Sequence, residues 1–304
     1  MELKKPYTLP KQLRSKQKIV SWISEITGQS RDLVQDRLWE EYENPGINVE
    51  RAFKKAGLKP HTWSEEMPRF YRQTDAFIYE LVIWNKNKLK RRFRRWAKGY
   101  FDSCDGKKDK VLCIGDGLGF DSAYFAQAGY HVTYFEMPGY QLSFAQRVFA
   151  ETPADIAVIT DADDIPLNTF DAVVCLDVLE HVPNPPAFVH QIAGYLQPGG
   201  WLIVHAPFYM IHHSKPTHLK ANRRYAGSLS LYQKNGFRLI DGKGGWNPLV
   251  LEKVGNTSVK YKRSRMKLLA LRIAGLCLCV GRFFIWPFLL VNAYHQRRRE
   301  WFNE

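Results

Sequence analysis

The stretch VLCIGDGLGFDSAYFAQAGYHVTYFEMPG, residues 111–139, decides the fold. It opens with an apolar run at 111–114, followed at once by Gly115, Gly117 and Gly119. A helical segment over 121–127 is stopped by Gly129, and a second apolar run over 131–135 delivers Glu136. Short apolar runs bounded by turn residues read as buried strands. Glycine allows a tight turn and close approach of a ligand to the backbone. Strand, turn, helix and strand make one unit of a parallel sheet, in which ligands sit beyond the carboxyl ends of the strands. An acidic residue about 20 positions after the first glycine can grip a ribose diol, so the stretch reads as a nucleoside-cofactor site.

The alternation continues downstream. A helix is expected over 141–150 and a strand over 156–160, ending at Asp161-Ala162-Asp163-Asp164-Ile165-Pro166-Leu167. Residues 170–176 are almost continuously apolar, as in a strand buried on both faces, and lead into Asp177-Val178-Leu179-Glu180-His181-Val182. Pro185 and Pro186 open a helix over 187–196, and Gln197-Pro198-Gly199-Gly200 turns into a strand over 201–205. A helix over 226–235 and two strands, 237–241 and 249–254, close the series. This α/β order predicts a doubly wound, mostly parallel sheet.

Residues 108–256 resemble a class I S-adenosylmethionine-dependent methyltransferase, near the type 11 and ubiquinone O-methyltransferase-like groups. The GDGLG turn, Glu136, DADDIPL, FDAVVCLDVLEHV and LQPGGWLIV carry the resemblance, in that order. It implies a Rossmann-like fold whose last two strands form an antiparallel hairpin, with S-adenosyl-L-methionine as methyl donor. It also implies that Gly115, Gly117 and Gly119 bring backbone to the methionine part and ribose, and that Glu136 accepts from both ribose hydroxyls, as a carboxylate can. Asp161 would accept from the adenine amino group with the Ala162 backbone beside the ring, and Leu176 and Asp177 would line the methionine end. The family's usual acid is replaced by Cys113, and Asp116 stands where a small residue is usual. Asp116 is therefore read as a displaced acid facing the sulfonium or the amino group. A nicotinamide dehydrogenase fits less well: Phe120 occupies the sixth position of its fingerprint, where glycine is required.

Candidate bases for an acceptor hydroxyl are His181, His212, His213 and His218, with His205 at the end of its strand. His181 has an alternative role in shaping the pocket. Imidazoles suit several metals, but no carboxylate or cysteine stands near His212, His213 and His218 in sequence, and no metal is expected. Lys215, Arg223 and Arg224 suit a phosphate or acidic sugar, or a solvated loop.

The chain has 304 residues and a formal charge of +14, which favours an anionic partner, nucleic acid or a membrane surface. Residues 1–100 read as a helical N-terminal cap, 101–256 as the cofactor-binding core and 257–304 as a basic, apolar tail. In the cap, helices are expected over 18–26, 31–42 and 49–56, and one long helix over 71–100. Its apolar stripe runs through Phe77, Leu81, Trp84, Leu89, Phe93, Trp96 and Tyr100. Lys86, Lys88, Lys90, Arg91, Arg92, Arg94, Arg95 and Lys98 fill the other positions, as a solvated face or a footprint for RNA phosphates.

In the tail, Lys260, Lys262, Arg263, Arg265 and Lys267 precede an apolar run over 268–294, broken by Arg272, Arg282 and Pro287 and closed by Arg297, Arg298 and Arg299. Basic clusters on both flanks argue against a membrane span. An interfacial segment with Phe283, Phe284 and Trp286 in lipid is expected, the alternative being a helix packed on the core or on a second copy. The five cysteines, Cys104, Cys113, Cys175, Cys277 and Cys279, have no metal-ligand spacing and suit a reducing compartment. Residues 1–17 lack the apolar region of a secretory signal. The expected protein is cytoplasmic and peripheral on a membrane's inner face. It would methylate an oxygen of a membrane-associated glycan, lipid-linked sugar or lipid-like acceptor; an RNA-directed enzyme and a non-catalytic cofactor-binding scaffold are the alternatives.

Overall fold

Five parallel strands and an antiparallel pair build the sheet of the computed structural model, which describes residues 15–102, 109–243, 246–254 and 265–284. The parallel strands are β1 (Lys110–Ile114), β2 (His131–Phe135), β3 (Ile156–Ile159), β4 (Phe170–Leu176) and β5 (Leu196–His205). The hairpin is β6 (Phe237–Gly242) with β7 (Leu249–Lys253), and the order across the sheet is β3-β2-β1-β4-β5-β7-β6. Between β1 and β4 the order reverses, so chain leaving these strands turns to opposite faces and opens a crevice at their carboxyl ends. Val173 and Cys175 of β4 join one core layer, while Ala172, Val174 and Leu176 join the other. That two-sided burial is the reason for the unbroken apolar run.

The connecting helices are α7 (Phe120–Gln127), α8 (Tyr140–Ala150), α9 (Pro185–Tyr195) and the short α10 (Ser230–Gln233). The helix expected over 226–235 shrinks to α10 because Gly227 takes φ 71° and lies against the chain at Gly275, where a Cβ would sit 2.0 Å from the Gly275 carbonyl oxygen.

Six helices precede the sheet: α1 (Lys16–Thr27), α2 (Arg31–Glu43), α3 (Ile47–Lys55), α4 (Met67–Gln73), α5 (Ala76–Lys86) and α6 (Lys88–Asp102). The single long helix expected over 71–100 is instead the end of α4, then α5 and α6. Thr74 Oγ1 accepts the Ala76 N–H at 3.2 Å, and Asn87, extended at ψ 139°, accepts the Leu89 N–H at 2.8 Å. Side-chain caps of this kind compete with helix continuation and start a new helix in a new direction. The basic face of α6 is also divided: Lys88, Arg92 and Arg95 are exposed, whereas Lys90 and Arg94 are buried.

After the hairpin, α11 (Arg265–Gly281) packs one face on the core through Leu271, Gly275 and Leu278. A Cβ at Gly275 would meet the Trp246 ring at 2.4 Å, and Cys279 Sγ lies 3.0 Å from the Ala226 carbonyl. The 17 residues of α11 extend about 26 Å, short of a hydrocarbon core about 30 Å thick. Among the described residues no helix is long and apolar enough to cross a membrane. Cys104, Lys260, Lys262, Arg263, Trp286, Pro287, Arg297, Arg298, Arg299 and the residues before Ser15 lie outside the described residues.

Candidate functional site

The glycine turn leaves β1 with three left-handed residues, Gly115, Gly117 and Gly119, at φ 64°, 64° and 74°. A side chain is strained in that region, and here it would also collide. A Cβ would fall 2.5 Å from Val178 at Gly115, 2.6 Å from Leu81 of α5 at Gly117, and 2.6 Å from Phe149 of α8 at Gly119. The glycines thus serve close packing of protein on the turn as well as access by a ligand. The Gly117 N–H donates to Glu136 Oε2 at 2.9 Å, and the Met137 N–H donates to Oε1 at 3.1 Å. Glu136 is half-buried, and burial pushes its carboxyl up to about 7.

Asp161, exposed at the end of β3, accepts the Asp163 N–H at 3.0 Å through Oδ1 and has Ala162 half-buried beside it. The glycine turn, Glu136 and Asp161 therefore follow β1, β2 and β3 in sheet order. Diol acceptor and amine acceptor stand in the order that ribose and adenine would need, so the residues fit an adenosyl group.

Asp116 is engaged by the chain itself. Its two oxygens accept the N–H groups of Asp121 at 3.0 Å and Ser122 at 2.7 Å. It caps α7, satisfying orphan donors of the first turn, so both oxygens are engaged with the helix. Burial first, then Asp121, raises its carboxyl to about 6. Cys113, where the family's acid would stand, is buried, and burial drives its thiol upward.

At the mouth of β4, Asp177 also has a left-handed backbone, φ 64°, and its N–H donates to the His205 carbonyl at 2.8 Å. Its carboxylate accepts from Trp84 Nε1 at 2.8 Å and from His205 Nδ1, with Lys90 Nζ at 3.4 Å. Burial opposes the charge, but His205 and Lys90 outweigh it and hold the carboxyl well below the usual range. Lys90 also reaches Asp121 at 3.0 Å, and Arg94 pairs with the same carboxylate. His205 is therefore a partner of Asp177, and the basic helix gives two of its cations to the interior. Sequence reading missed Trp84, Lys90 and Arg94 as site residues. The available signal was a Lys and an Arg four apart, next to Phe93, on the side of α6 that must face a core.

The four candidate histidines fall into two pairs. His212 and His213 lie against each other, with ring centroids 3.9 Å apart; His212 bonds Ser214 and His213, exposed, reaches Glu50 of α3 at 3.2 Å. His181 and His218 meet in the interior, with perpendicular rings 4.7 Å apart. His181 Nδ1 lies 3.2 Å from the Thr217 carbonyl and 3.3 Å from the Tyr71 hydroxyl. Burial lowers both of these histidines. Beside them stands Glu180, the carboxylate that the sequence did not place near His218. Lys215 is not a free anion ligand, since it pairs with Glu80.

A ligand crevice at the switch point, two ordered acceptors and a glycine turn define a nucleoside-cofactor-binding Rossmann-like protein. Residues 112–204 match a family described as a methyltransferase domain. The ubiquinone biosynthesis O-methyltransferase of Bordetella avium is 27% identical over 256 residues, covering 73% of this chain and 96% of that protein. The one from Idiomarina loihiensis is 38% identical over 110 residues, covering 34% of this chain and 44% of its own length. Among solved structures, the DszA carbon methyltransferase aligns with a TM-score of 0.49 at 15% identity, covering 75% of this chain and 71% of that one. A Burkholderia thailandensis 1,6-didemethyltoxoflavin-N1-methyltransferase with bound S-adenosylhomocysteine aligns at 0.41 and 17%, covering 57% and 81%. The chain is a class I S-adenosylmethionine-dependent methyltransferase.

Proposed function

We propose that the chain methylates an oxygen of a lipid-like or lipid-linked acceptor while resting on an anionic membrane surface. The observation that carries this reading is the outer face of α11. Leu269, Ile273, Leu276 and Val280 recur along one side of the helix and are 58, 53, 66 and 75% exposed. Arg265 and Arg272 are exposed on the same helix, and Phe283 lies exposed beneath Arg223 and Arg282. The opposite face is already docked on the core, and among the described residues no protein layer covers this stripe. Apolar side chains flanked by arginines suit the boundary between headgroups and acyl chains, and each basic group near an anionic surface contributes about 1 kcal/mol. Oxygen as the acceptor atom, and a lipid-like ring as the acceptor class, follow the O-methyltransferases to which the chain is similar.

S-adenosylmethionine, when bound, supplies a methyl group already activated by its sulfonium. The chain's own part is alignment and proton removal. Gly117, Glu136 and Asp161 would hold the adenosyl end, and Leu176 and Asp177 the methionine end. Loss of the acceptor's proton would be promoted at the Glu180, His181 and His218 cluster. The acceptor oxygen would take the methyl group as its proton is lost to solvent at that cluster, leaving S-adenosylhomocysteine as the by-product. The RNA-directed reading loses Lys90 and Arg94 to the interior and has no further support.

Labelled-methyl transfer into membrane extracts, separated into lipid, glycan, RNA and protein, tests the proposal. Label is expected in the lipid-extractable fraction. Label in RNA or protein, or no transfer beside intact cofactor binding, would overturn it, the last result indicating a non-catalytic scaffold.

A further inference from the structure

Glu180 is 1% exposed, and neither of its carboxylate oxygens has a hydrogen-bond partner. A buried carboxylate left without partner or counter-charge is costly, so its surroundings should supply one. One ligating atom each from Glu180, His181 and His218 lie within 4.8 Å of one another, and His181 Nε2 is 3.9 Å from Glu180 Oε1. The two imidazoles are oriented for the same space. His181 Nδ1 faces the Thr217 carbonyl, which can only accept, so that nitrogen carries the proton and Nε2 keeps its lone pair. His218 is hydrogen-bonded to the Met210 backbone and its Nδ1 has no partner, so Nδ1 is the nitrogen left with a lone pair. A backbone carbonyl behind the ring is the usual device for aiming a metal-binding histidine.

We infer that Glu180, His181 and His218 form a binding site for a first-row divalent transition-metal cation on the acceptor side of the sheet. The donor set selects the metal. Mg2+ and Ca2+ take oxygen ligands, whereas two imidazoles and one carboxylate suit Zn2+ and its neighbours and leave one position open. Bonds of about 2.1 Å in a tetrahedron separate donors by about 3.4 Å. The His181–Glu180 pair at 3.9 Å therefore closes by about 0.5 Å on binding. Asp177, which marks the methionine end, lies three residues before Glu180 in the chain. A hydroxyl oxygen coordinated at the open position becomes more acidic and gives its proton to water, while the imidazoles remain ligands. That role rests on the acceptor proposed above; the cation binding does not.

The full chain carrying Cys277→Ser, which removes an exposed thiol, is stripped with chelator and titrated calorimetrically with ZnCl2, MnCl2 and MgCl2 separately. One equivalent of Zn2+ is expected, with Mg2+ at least 100-fold weaker. Glu180→Gln and His218→Gln should abolish the stoichiometric event while S-adenosylhomocysteine affinity stays within twofold, and His213→Gln should change nothing. No bound equivalent, or unchanged Zn2+ affinity in both ligand variants, overturns the inference. If those variants fail to fold, Mn2+ added to the Cys277→Ser protein should broaden the ring signals of His181 and His218 selectively. Broadening at His212 and His213 instead would also overturn it. Neither measurement uses an acceptor, so its failure is separate from failure of the acceptor reading.

Discussion

Lowering the pH should weaken cofactor binding through Glu136 alone. Burial raises this carboxyl to about 7, and hydrogen bonds from two ribose hydroxyls favour its ionised form. The bound carboxyl should therefore return toward its ordinary range, and binding near neutrality releases a proton. About nine tenths of the group is ionised at pH 8 and about one tenth at pH 6, so S-adenosylhomocysteine affinity should fall about tenfold between them, about 1.4 kcal/mol. The cofactor-free protein should respond in the opposite sense. A carboxyl whose folded value lies above its unfolded value contributes stability below the unfolded value and loses it as pH rises through the folded one. Asp116, at about 6, titrates in the same window but is engaged with α7. Glu136→Gln separates the two, since it should flatten the affinity profile and leave the Asp116 contribution. Isothermal titration at both pH values, in buffers of different ionisation enthalpy, measures the affinity and the proton count. A tenfold pH effect that survives in Glu136→Gln would refute the reasoning.

Arg94→Met leaves the buried Asp121 with Lys90 as its remaining cation, and loss of one charge-assisted hydrogen bond should cost about 1.5–3 kcal/mol in urea unfolding. Asp177→Asn keeps a residue that tolerates φ 64° but removes the charge held by His205 and Lys90. Because the carboxyl is depressed in the folded state, its contribution is present above the unfolded value near 4 and lost as pH falls below it; the stability gap between wild type and variant should narrow there in acid. Leu276→Glu with Val280→Glu should reduce sedimentation with anionic vesicles at least tenfold while leaving stability within about 0.5 kcal/mol, as expected of exposed positions. Gly275→Leu would drive a side chain into Trp246 and should loosen α11, read as faster limited proteolysis after β7.

The sheet was legible because its signals are local and redundant. β2 and β4 fall at the residues expected, since each is an apolar run between a turn and an acidic or polar end. The hairpin follows from two short runs around a glycine-rich connection. What was not legible depends on partners far apart in sequence. Asp116 reads as an acid in a ligand turn, yet its distance from the α7 amides, five and six residues on, is set by how the turn curls. Trp84 and Lys90 reach Asp177 across 93 and 87 positions, and no spacing rule spans that interval. Glu180 and His218 are likewise 38 positions apart and meet only because β4 and the segment after β5 end side by side. The helix boundary at Asn87 was readable in principle, since an asparagine that caps the next helix is a local signal.

The division into a helical cap and a catalytic core is therefore one of sequence more than of physics. α6 places Lys90 between Asp121, at the start of the cofactor-side helix α7, and Asp177, at the mouth of β4. One ammonium thus ties the two halves of the switch-point crevice together. Its neighbour Arg94 satisfies the second claim on Asp121, which releases Lys90 to hold Asp177. With a neutral residue at position 90, Asp121 would keep Arg94 and Asp177 would keep His205, so each carboxylate would still be paired. What would vanish is the bridge between them. Stability would then fall about as far as for loss of Arg94, which likewise leaves Asp121 one cation, while the geometry of the methionine end would suffer more. The contrast between those two substitutions separates the helical block's contribution to folding from its contribution to the site.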